Sequence, residues 1–184
     1  MAWRALILIV CASIPGIAEN LAVGKLLVAS GKSHDPDLAR TVILLVHYDQ
    51  QGAIGLILNR PSKVPLSDVM PELKNASTPV FAGGPVTIGV RALLQSASKP
   101  DQAVHIFGDV SMISNKSLLE KMIDARTPPT KFRVYAGYTG WSAEQLQSEG
   151  QLGLWHVLPA DASAVFDPVP EKVWPRLIDR LPRF

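Results

Sequence analysis

Apolar residues in this chain are grouped in short runs rich in β-branched side chains, and long helical stripes are few. A run of this length, bounded by turn residues and without polar alternation, predicts a strand that is buried on both faces of a sheet. The clearest example covers residues 41–47, with the sequence TVILLVH. The same reasoning predicts further strands at residues 24–29, 53–58, 79–82, 90–94, 104–107, 131–136 and 152–158.

Turn and capping residues place the connections between these strands. The Asp-Gln-Gln-Gly segment at residues 49–52 predicts the turn of a hairpin, and Pro61 is expected to end the strand that follows it. Ser142, followed three residues later by Gln145, forms a capping-box pattern at a helix start. Further helices are predicted over residues 65–73, from Ser114 or Asn115 to Ala125, and over residues 170–181.

The order of these elements favours one class of fold. Strands and helices are intermixed, at least one hairpin is expected, and strand and helix do not alternate strictly. The pattern therefore predicts an α+β protein, a single compact domain with a mixed, partly antiparallel β-sheet and flanking helices. A length of 184 residues fits one such domain, which we expect to occupy residues 19–184.

The N-terminus has the pattern of a secretory signal peptide covering residues 1–18. Arg4 supplies the positive start, residues 5–14 are mostly apolar and free of charge, and Ala18 ends a small-residue cleavage site. Cleavage would remove Cys11, the only cysteine, and would place the protein in the periplasm or outside the cell. Two alternatives remain. The segment could be a first β-strand, or the start codon could be wrongly assigned, with the true start near Val23. The protein would then be cytoplasmic.

The charge pattern argues against two classes of partner. The net charge is +2 at pH 7, and acidic and basic residues are interspersed. Without a basic stripe or a helix-turn-helix pattern, neither nucleic acid nor an anionic membrane surface is predicted as a partner. The apolar run at residues 5–14 is also too short for a stable membrane span.

No cofactor or metal ion is predicted from the sequence. The four histidines, His34, His47, His105 and His156, lack the spacing of metal ligands and are expected to be structural. The segment at residues 30–33 resembles the end of a phosphate-binding loop, but Leu26 stands where that motif requires its first glycine.

A candidate surface for a ligand or a protein partner combines polar and aromatic residues next to glycines. Arg60 could clamp a carboxylate or phosphate, although it could equally pair within the fold. The Gly-Gly-Pro turn could present backbone N–H groups to an anion, and the aromatic residues could line a pocket or belong to the core. The predicted surface comprises Asn59, Arg60, Gly83, Gly84, Tyr138, Gly140, Trp141 and Gln145.

Five segments in register resemble the YqgE/AlgH family of bacterial proteins. They are GKLLVA at residues 24–29, RTV at 40–42 leading to His47, GAIG at 52–55 running to NRP at 59–61, GGPV at 83–86, and GYTGW at 137–141 with the following Gln145, Glu149 and Trp155. The resemblance covers residues 23–178. It implies a compact α+β domain with mixed sheets, and a molecular function that is largely uncharacterised in the family.

The chain departs from the family pattern at several positions. Glu144 precedes the Gln-Leu pair where the family usually has Gly, Gly150 replaces Leu, and Leu94 with Gln95 stands where a His is typical. The resemblance therefore indicates a divergent member with an N-terminal extension.

Three functions follow as hypotheses from the sequence. The first is a non-enzymatic binding or accessory protein that holds a small ligand or a protein partner on the predicted surface. The second is a small-molecule hydrolase that uses His47 or His105 with an acidic residue. The third is a cytoplasmic transcriptional regulator, because one branch of the family carries a name linked to the regulation of polysaccharide synthesis. Enzymatic activity is not favoured.

Overall fold

The structure is a computed structural model, and it describes residues 21–33, 35–73 and 76–181. The predicted signal peptide and His34 lie outside the described residues. The strands are β1 Lys25–Ala29, β2 Val42–Tyr48, β3 Ala53–Ile57, β4 Pro61–Pro65, β5 Pro79–Ala82, β6 Val86–Gln95, β7 Val104–Phe107, β8 Val110–Ile113, β9 Phe132–Trp141 and β10 Trp155–Pro159. The α-helices are α1 Leu66–Val69, α2 Lys116–Asp124, α3 Ala143–Gln151, α4 Ala162–Val165 and α5 Val173–Ile178.

All the strands belong to one sheet, which curls strongly. The main path runs β10-β1-β2-β3-β9-β6-β8-β7, and every pairing on it is antiparallel. Strand β5 lies off this path and pairs with β9 in parallel and with β4 in antiparallel orientation. Strand β7, at one end of this path, comes close to the residue before β1, since a Cβ atom at Gly24 would lie 3.0 Å from the carbonyl oxygen of Ile106. The predicted class, an α+β domain with a mixed sheet, is confirmed.

The concave side of the curled sheet encloses the main core. Alternate residues of the first strands point inwards, so Leu26 and Val28 of β1 pack with Leu44 of β2 and Leu56 of β3. The far half of the sheet adds Leu93, Ile106, Val110 and Tyr135 to the same cluster, and the C-terminal segment closes it with Val165, Phe166 and Val173. Burial of a side chain of this size contributes about 1.5–3 kcal/mol.

The convex side carries two smaller clusters under separate helices. Leu27 and Ile43 point outwards and pack beneath Leu146 of α3 and the rings of Trp141 and Trp155. The second cluster lies beneath α1 and α2 and contains Leu66, Ala92, Ile113, Leu119, Phe132 and Val134. The predicted double burial of β2 is therefore correct, because both of its faces are covered.

Strand β9 connects the two halves of the sheet at a glycine junction. Gly137 has φ = 74°, and a Cβ atom there would lie 2.6 Å from the carbonyl oxygen of Val86. Gly83 approaches as closely, since its Cβ position lies 2.3 Å from the carbonyl oxygen of Gly137. Only glycine permits this backbone approach, which explains the GGP and GYTGW segments as parts of one junction.

Several elements differ from the predictions. Strand β4 begins at Pro61, where the preceding strand was expected to end. It can contain two prolines because β5 is its only partner among the described strands, so β4 is an edge strand. Strand β8 and helix α4 were not predicted, and β6 and β9 are longer than expected.

The C-terminal helix is also divided. A 3-10 turn at Pro170–Lys172 precedes α5, and the helix ends at Ile178 instead of reaching residue 181. Pro175 is the third residue of α5, a position whose N–H has no partner within a helix, so it does not bend the helix.

Candidate functional site: a basic cleft beside strand β5

The predicted surface residues Asn59 and Arg60 bind the loop before β2. The Asn59 side chain accepts from the N–H of Val42 at 2.9 Å and donates to the carbonyl of Arg40 at 2.9 Å. Arg60 donates to the carbonyl of Pro36 at 3.4 Å. These contacts hold the chain at the start of β2, so both polar groups have partners within the fold.

The predicted residues Gly83, Gly84, Tyr138 and Gly140 lie at the glycine junction. The N–H of Gly83 donates to the carbonyl of Ala136 at 2.8 Å, so this N–H is not free to hold an anion. The Tyr138 ring is half-buried and lies 4.5 Å below the guanidinium of Arg91. The structure thus brings these four residues together, with Arg91 as an added cation.

The predicted residues Trp141 and Gln145 belong to a third group, centred on Glu149. The indole N–H groups of Trp141 and Trp155 donate to Oε2 of Glu149 at 3.0 and 2.8 Å, and the Gln145 amide donates to Oε1 at 2.9 Å. The two indole rings meet edge to face, with centroids 6.1 Å apart. We call these four residues the tryptophan clamp.

The clamp decides between the two interpretations of Trp141, pocket lining or core. Trp141 is only 6% exposed and packs under α3, so its ring forms part of the convex core. Its burial matches the alternative interpretation, in which the aromatic residues belong to the core. Its polar atom is satisfied by Glu149, which the sequence analysis did not place at the site.

The described histidines lie on separate strands. His47 is exposed at the end of β2, and its Nε2 lies 3.0 Å from a carboxylate oxygen of Asp49 in the adjoining turn. His105, on β7, is also exposed, and its Nε2 lies 3.1 Å from the carbonyl oxygen of Gly108. Burial, and then the nearby Lys32, lower the pKa of His156 on β10. Among the described residues, no group of three His, Cys, Asp or Glu side chains could hold a metal ion.

A cleft of about 570 Å³ opens between β5 and the connection from α2 to β9. Its apolar walls come from the side chains of Pro79, Phe81, Ile123, Pro128, Pro129, Phe132 and Val134. Its polar lining consists of three hydroxyl residues, Ser77, Thr78 and Thr127, and two arginines, Arg126 and Arg133. We call this site the basic cleft, because its lining contains no acidic residue.

Arg133 is the most unusual residue of the basic cleft. It is only 6% exposed, and its guanidinium lies between the rings of Phe81, at 4.9 Å, and Phe166, at 6.0 Å. It donates to the carbonyls of Val165 at 2.9 Å and Pro129 at 3.4 Å, and also to the carbonyl of Asp167. No carboxylate in the described part of the chain forms an ion pair with it.

The surroundings of Arg133 are electrostatically unfavourable for a charge. Burial lowers the pKa of Arg133 from its ordinary value, and the neighbouring Tyr135 and Asp167 oppose that shift. Burial also raises the pKa of Tyr135, whose hydroxyl has no hydrogen-bond partner of normal geometry among the described residues. The carboxylate of Asp167 pairs with Arg176. Arg133 is therefore a buried cation that donates to three backbone carbonyls and lies beside the Tyr135 hydroxyl.

Arg126 is the exposed arginine of the cleft lining and directly follows the end of α2. Its φ of 50° lies in the left-handed region, which a non-glycine residue seldom adopts. Its side chain is exposed and forms no ion pair or hydrogen bond within the part of the chain that the structure describes. The φ of Arg126 belongs to the end of α2, because the N–H groups of Arg126 and Thr127 donate to the carbonyls of Ile123 at 2.9 Å and Met122 at 3.2 Å, the pattern of a Schellman cap.

The sequence analysis missed both arginines of the cleft. One signal was present, because Arg133 interrupts an otherwise apolar strand pattern, Phe-Arg-Val-Tyr, at a position that must face the core. Arg126 gave no such signal, because the cleft is lined by segments that are distant in the chain.

The order of strands in one curled sheet places the protein in the class of single-domain α+β proteins. Comparison with known families then identifies its family. The chain belongs to the AlgH-like family, whose model matches residues 26–183. The resemblance noted from the sequence segments is thereby confirmed. No function is assigned by the family description, which agrees with an uncharacterised binding or accessory protein.

Relatives with similar sequences and structures come from several bacteria. A UPF0301 protein of Stutzerimonas stutzeri is 37% identical over 149 residues, which cover 77% of this chain and 78% of the relative. The AlgH protein of Pseudomonas aeruginosa is 34% identical over 154 residues, covering 79% and 81% of the two chains.

Two solved structures share the fold. The solution structure of the Pseudomonas aeruginosa AlgH protein has a TM-score of 0.71 at 31% identity and covers 94% of this chain and 93% of its own. A crystal structure of a Corynebacterium diphtheriae protein has a TM-score of 0.72 at 26% identity, with 88% of each chain covered. Within the described residues of the present chain, no helix has the length and apolarity to cross a bilayer.

Proposed function

We propose that this chain is a non-enzymatic binding protein that holds a small ligand in the basic cleft. The observation that carries the proposal is the cleft itself, a concave site of about 570 Å³ that combines apolar walls with a few polar groups. Ligand sites in proteins have this size and this mixture of surfaces. All of the lining residues belong to this one domain.

The chemistry of the lining supports binding over catalysis. General acid–base catalysis uses His, Asp, Glu, Lys, Tyr or Cys side chains, and covalent catalysis needs a nucleophile next to a base. The twelve lining residues contain none of these acid–base groups, so the hydroxyls of Ser77, Thr78 and Thr127 have no general base beside them in the lining. The exposed His47 and His105, which the hydrolase hypothesis requires, do not line this cleft.

The proposal is tested by filling the cleft with a larger side chain. Ser77 is exposed at the rim, so Ser77→Trp should occlude the cleft without disturbing the core. Ser117→Trp is the matched control, because Ser117 is also exposed and lies on α2 outside the lining. The probe is N-phenyl-1-naphthylamine, a neutral dye whose fluorescence rises in apolar sites. We expect saturable binding to wild type and to Ser117→Trp, and loss of binding in Ser77→Trp. Equal binding by all three proteins would refute the cleft as the site.

A protein partner on the predicted surface is a second candidate. The observation that favours it is Ile88, 76% exposed on the bulged start of β6, next to the Arg91–Tyr138 pair. Exposed apolar, aromatic and arginine side chains are enriched at protein interfaces. A partner captured by wild type should be lost from Ile88→Lys and retained by Ser117→Lys. Retention of the partner by Ile88→Lys would exclude this surface.

We also propose that the protein is exported after removal of residues 1–18. The support is the charge-free apolar run and the small residues before position 19. Intact mass spectrometry of the protein from the periplasmic fraction of its host tests this proposal. A chain that retains residue 1 and stays with the cytoplasmic fraction would contradict export and return the regulator hypothesis to consideration.

A further inference from the structure

We infer that the ligand of the basic cleft is a small organic anion with an apolar body, a carboxylate, sulfonate or phosphate monoester carried on an aliphatic or aromatic group. The inference rests on the function proposed above, because it specifies the chemistry of the ligand for the same cleft.

The first argument is the balance of charge around the cleft. Its lining contains two arginines and no acidic residue. The exposed Arg126 has no side-chain partner among the described residues, and the nearby carboxylate of Asp167 is occupied by Arg176. Arg133 is a buried cation without an ion-paired carboxylate among the described residues, which is costly. An anion that enters the cleft would compensate that charge and would also attract the exposed Arg126.

The second argument is the unused hydrogen-bonding capacity of Arg133. A guanidinium carries five N–H donors in a planar fork, and the three bonds of Arg133 go to the carbonyls of Pro129, Val165 and Asp167. These three bonds leave N–H donors on the guanidinium, which has the Tyr135 hydroxyl beside it. A carboxylate, sulfonate or phosphate oxygen in the cleft would accept a hydrogen bond from one of them. The stacked rings of Phe81 and Phe166 hold the fork in place, which reduces the ordering cost of binding.

The third argument is the apolar remainder of the lining. Phe81, Ile123 and Phe132 form the walls, and three prolines at positions 79, 128 and 129 add rigid apolar surface. A free inorganic anion would leave this surface unused. The apolar walls therefore favour a ligand in which the charged group is attached to a hydrocarbon body.

The experiment compares two dyes that differ by one charged group. 8-Anilinonaphthalene-1-sulfonate carries a sulfonate on the same ring system as the neutral N-phenyl-1-naphthylamine. We expect the sulfonate to bind wild type about tenfold more tightly than the neutral dye, because it adds charge-assisted hydrogen bonds. Added salt should weaken the binding of the sulfonate and leave the neutral dye unaffected.

Removing the charge of Arg126 tests most directly whether the cleft selects its ligand by charge. Arg126→Gln should weaken the sulfonate roughly threefold to fivefold, as expected for an exposed charge pair, and leave the affinity of the neutral dye unchanged. Lys121→Gln is the matched control, because it removes one exposed positive charge from α2 outside the cleft. It should change neither affinity. Near-ultraviolet circular dichroism confirms that each variant keeps its packing.

The outcomes separate this inference from the proposed function. If both dyes bind equally well and Ser77→Trp blocks both, the cleft is a binding site but its ligand is not selected by charge, and the inference is wrong. If Arg126→Gln and Lys121→Gln weaken the sulfonate equally, the selection comes from overall charge and the inference is again wrong. If neither dye binds, both the proposed function and the inference fail.

Discussion

The tryptophan clamp and the basic cleft lie at opposite ends of strand β9. Each contains a charged side chain, and the two differ in the hydrogen-bond partners of that charge. In the clamp, the Glu149 carboxylate accepts three hydrogen bonds from side chains that touch it. In the cleft, the Arg133 guanidinium donates to backbone carbonyls and has no carboxylate partner among the described residues. The charge of Glu149 is thus satisfied by neighbouring side chains. The charge of Arg133 has no anionic partner among the described residues, and an anionic ligand could supply one.

The comparison shows how conspicuous residues can mislead. Trp141 drew attention because it is an aromatic residue between glycine and a helix cap, yet its burial and its bond to Glu149 account for it. Arg133 is a single basic residue in an apolar strand, and it is the one with unused donors. A buried charge without an ion-paired partner calls for an explanation, and the proposed explanation is a ligand.

The largest effect should come from Arg133→Met. The variant leaves the carbonyls of Val165 and Asp167 without their donor, and each unpaired buried group costs about 1–3 kcal/mol. We therefore expect the free energy of unfolding, measured with urea, to fall by about 2–4 kcal/mol. Arg133→Lys should lose less, because one ammonium can still donate. A change within about 0.5 kcal/mol, as for an ordinary surface substitution, would show that Arg133 is not needed by the fold.

The next effect tests the glycine junction that lies between the two regions. Gly137→Ala forces a Cβ atom to within 2.6 Å of the Val86 carbonyl oxygen in a left-handed conformation. Gly31→Ala is the matched control, with φ = 85° and no atom within 4 Å of the added Cβ. Backbone strain alone should cost the control about 1 kcal/mol. Gly137→Ala should cost about 1–3 kcal/mol more, as in overpacked sites. Equal losses in thermal unfolding would mean that the junction has room to relax.

Glu149→Leu should then show whether the clamp is purely structural. Two indole N–H groups lose their acceptor, so we expect a loss of about 2 kcal/mol in urea unfolding. The isosteric Glu149→Gln keeps an acceptor oxygen and should lose about half as much. The affinity for 8-anilinonaphthalene-1-sulfonate should stay unchanged in both variants. If either variant bound the dye more weakly, the clamp would be part of the ligand site, and the clamp and the cleft would no longer differ in function.

The smallest effect is a pH dependence from Asp167, which anchors the C-terminal segment beside the cleft. Burial alone would raise the pKa of Asp167, but hydrogen bonds from the Arg176 side chain and the Val169 N–H outweigh it, so the pKa lies below the ordinary 3.8. A lowered pKa in the folded state means that this stabilisation is complete above pH 3.8 and is lost as the pH falls through the folded-state value.

Two variants measure this contribution. Asp167→Asn should flatten the dependence of the unfolding free energy on pH below about pH 4. Arg176→Met removes the hydrogen bond that lowers the pKa and should flatten the same part of the curve. A full acid-induced loss of stability in both variants would assign it to other carboxylates.

Much of the fold could be predicted because the local signals were strong. The apolar run of β2, the turn before β3, the Asn115 cap of α2 and the Ser142 cap of α3 all appear as expected. The missed elements have weak local signals. Strand β4 contains two prolines and is held by β5, and α4 spans only four residues around the Asp161 cap. Their formation depends on partners that are distant in the chain.

The candidate site was less predictable than the fold. The predicted residues divide into three neighbouring groups, and Asn59, Gly83, Trp141 and Gln145 have their polar or backbone groups engaged within the structure. The cleft residues come from β5, from the end of α2 and from β9, which are up to 57 positions apart. Sequence spacing could not relate them, because the parallel pairing of β5 with β9 is formed only when the sheet folds.

The sequence by itself determined the class of fold, the family and the positions of most strands and helix caps, because hydrophobic periodicity, turn residues and caps act over a few neighbouring residues. The tertiary structure alone decided which polar groups are satisfied. The curl of the sheet buries Trp141 against Glu149 and brings Arg133 beneath the C-terminal segment, and both outcomes depend on contacts between residues far apart in the chain. A charge becomes evidence of a ligand only when its surroundings are known, and those surroundings are set by the folded sheet.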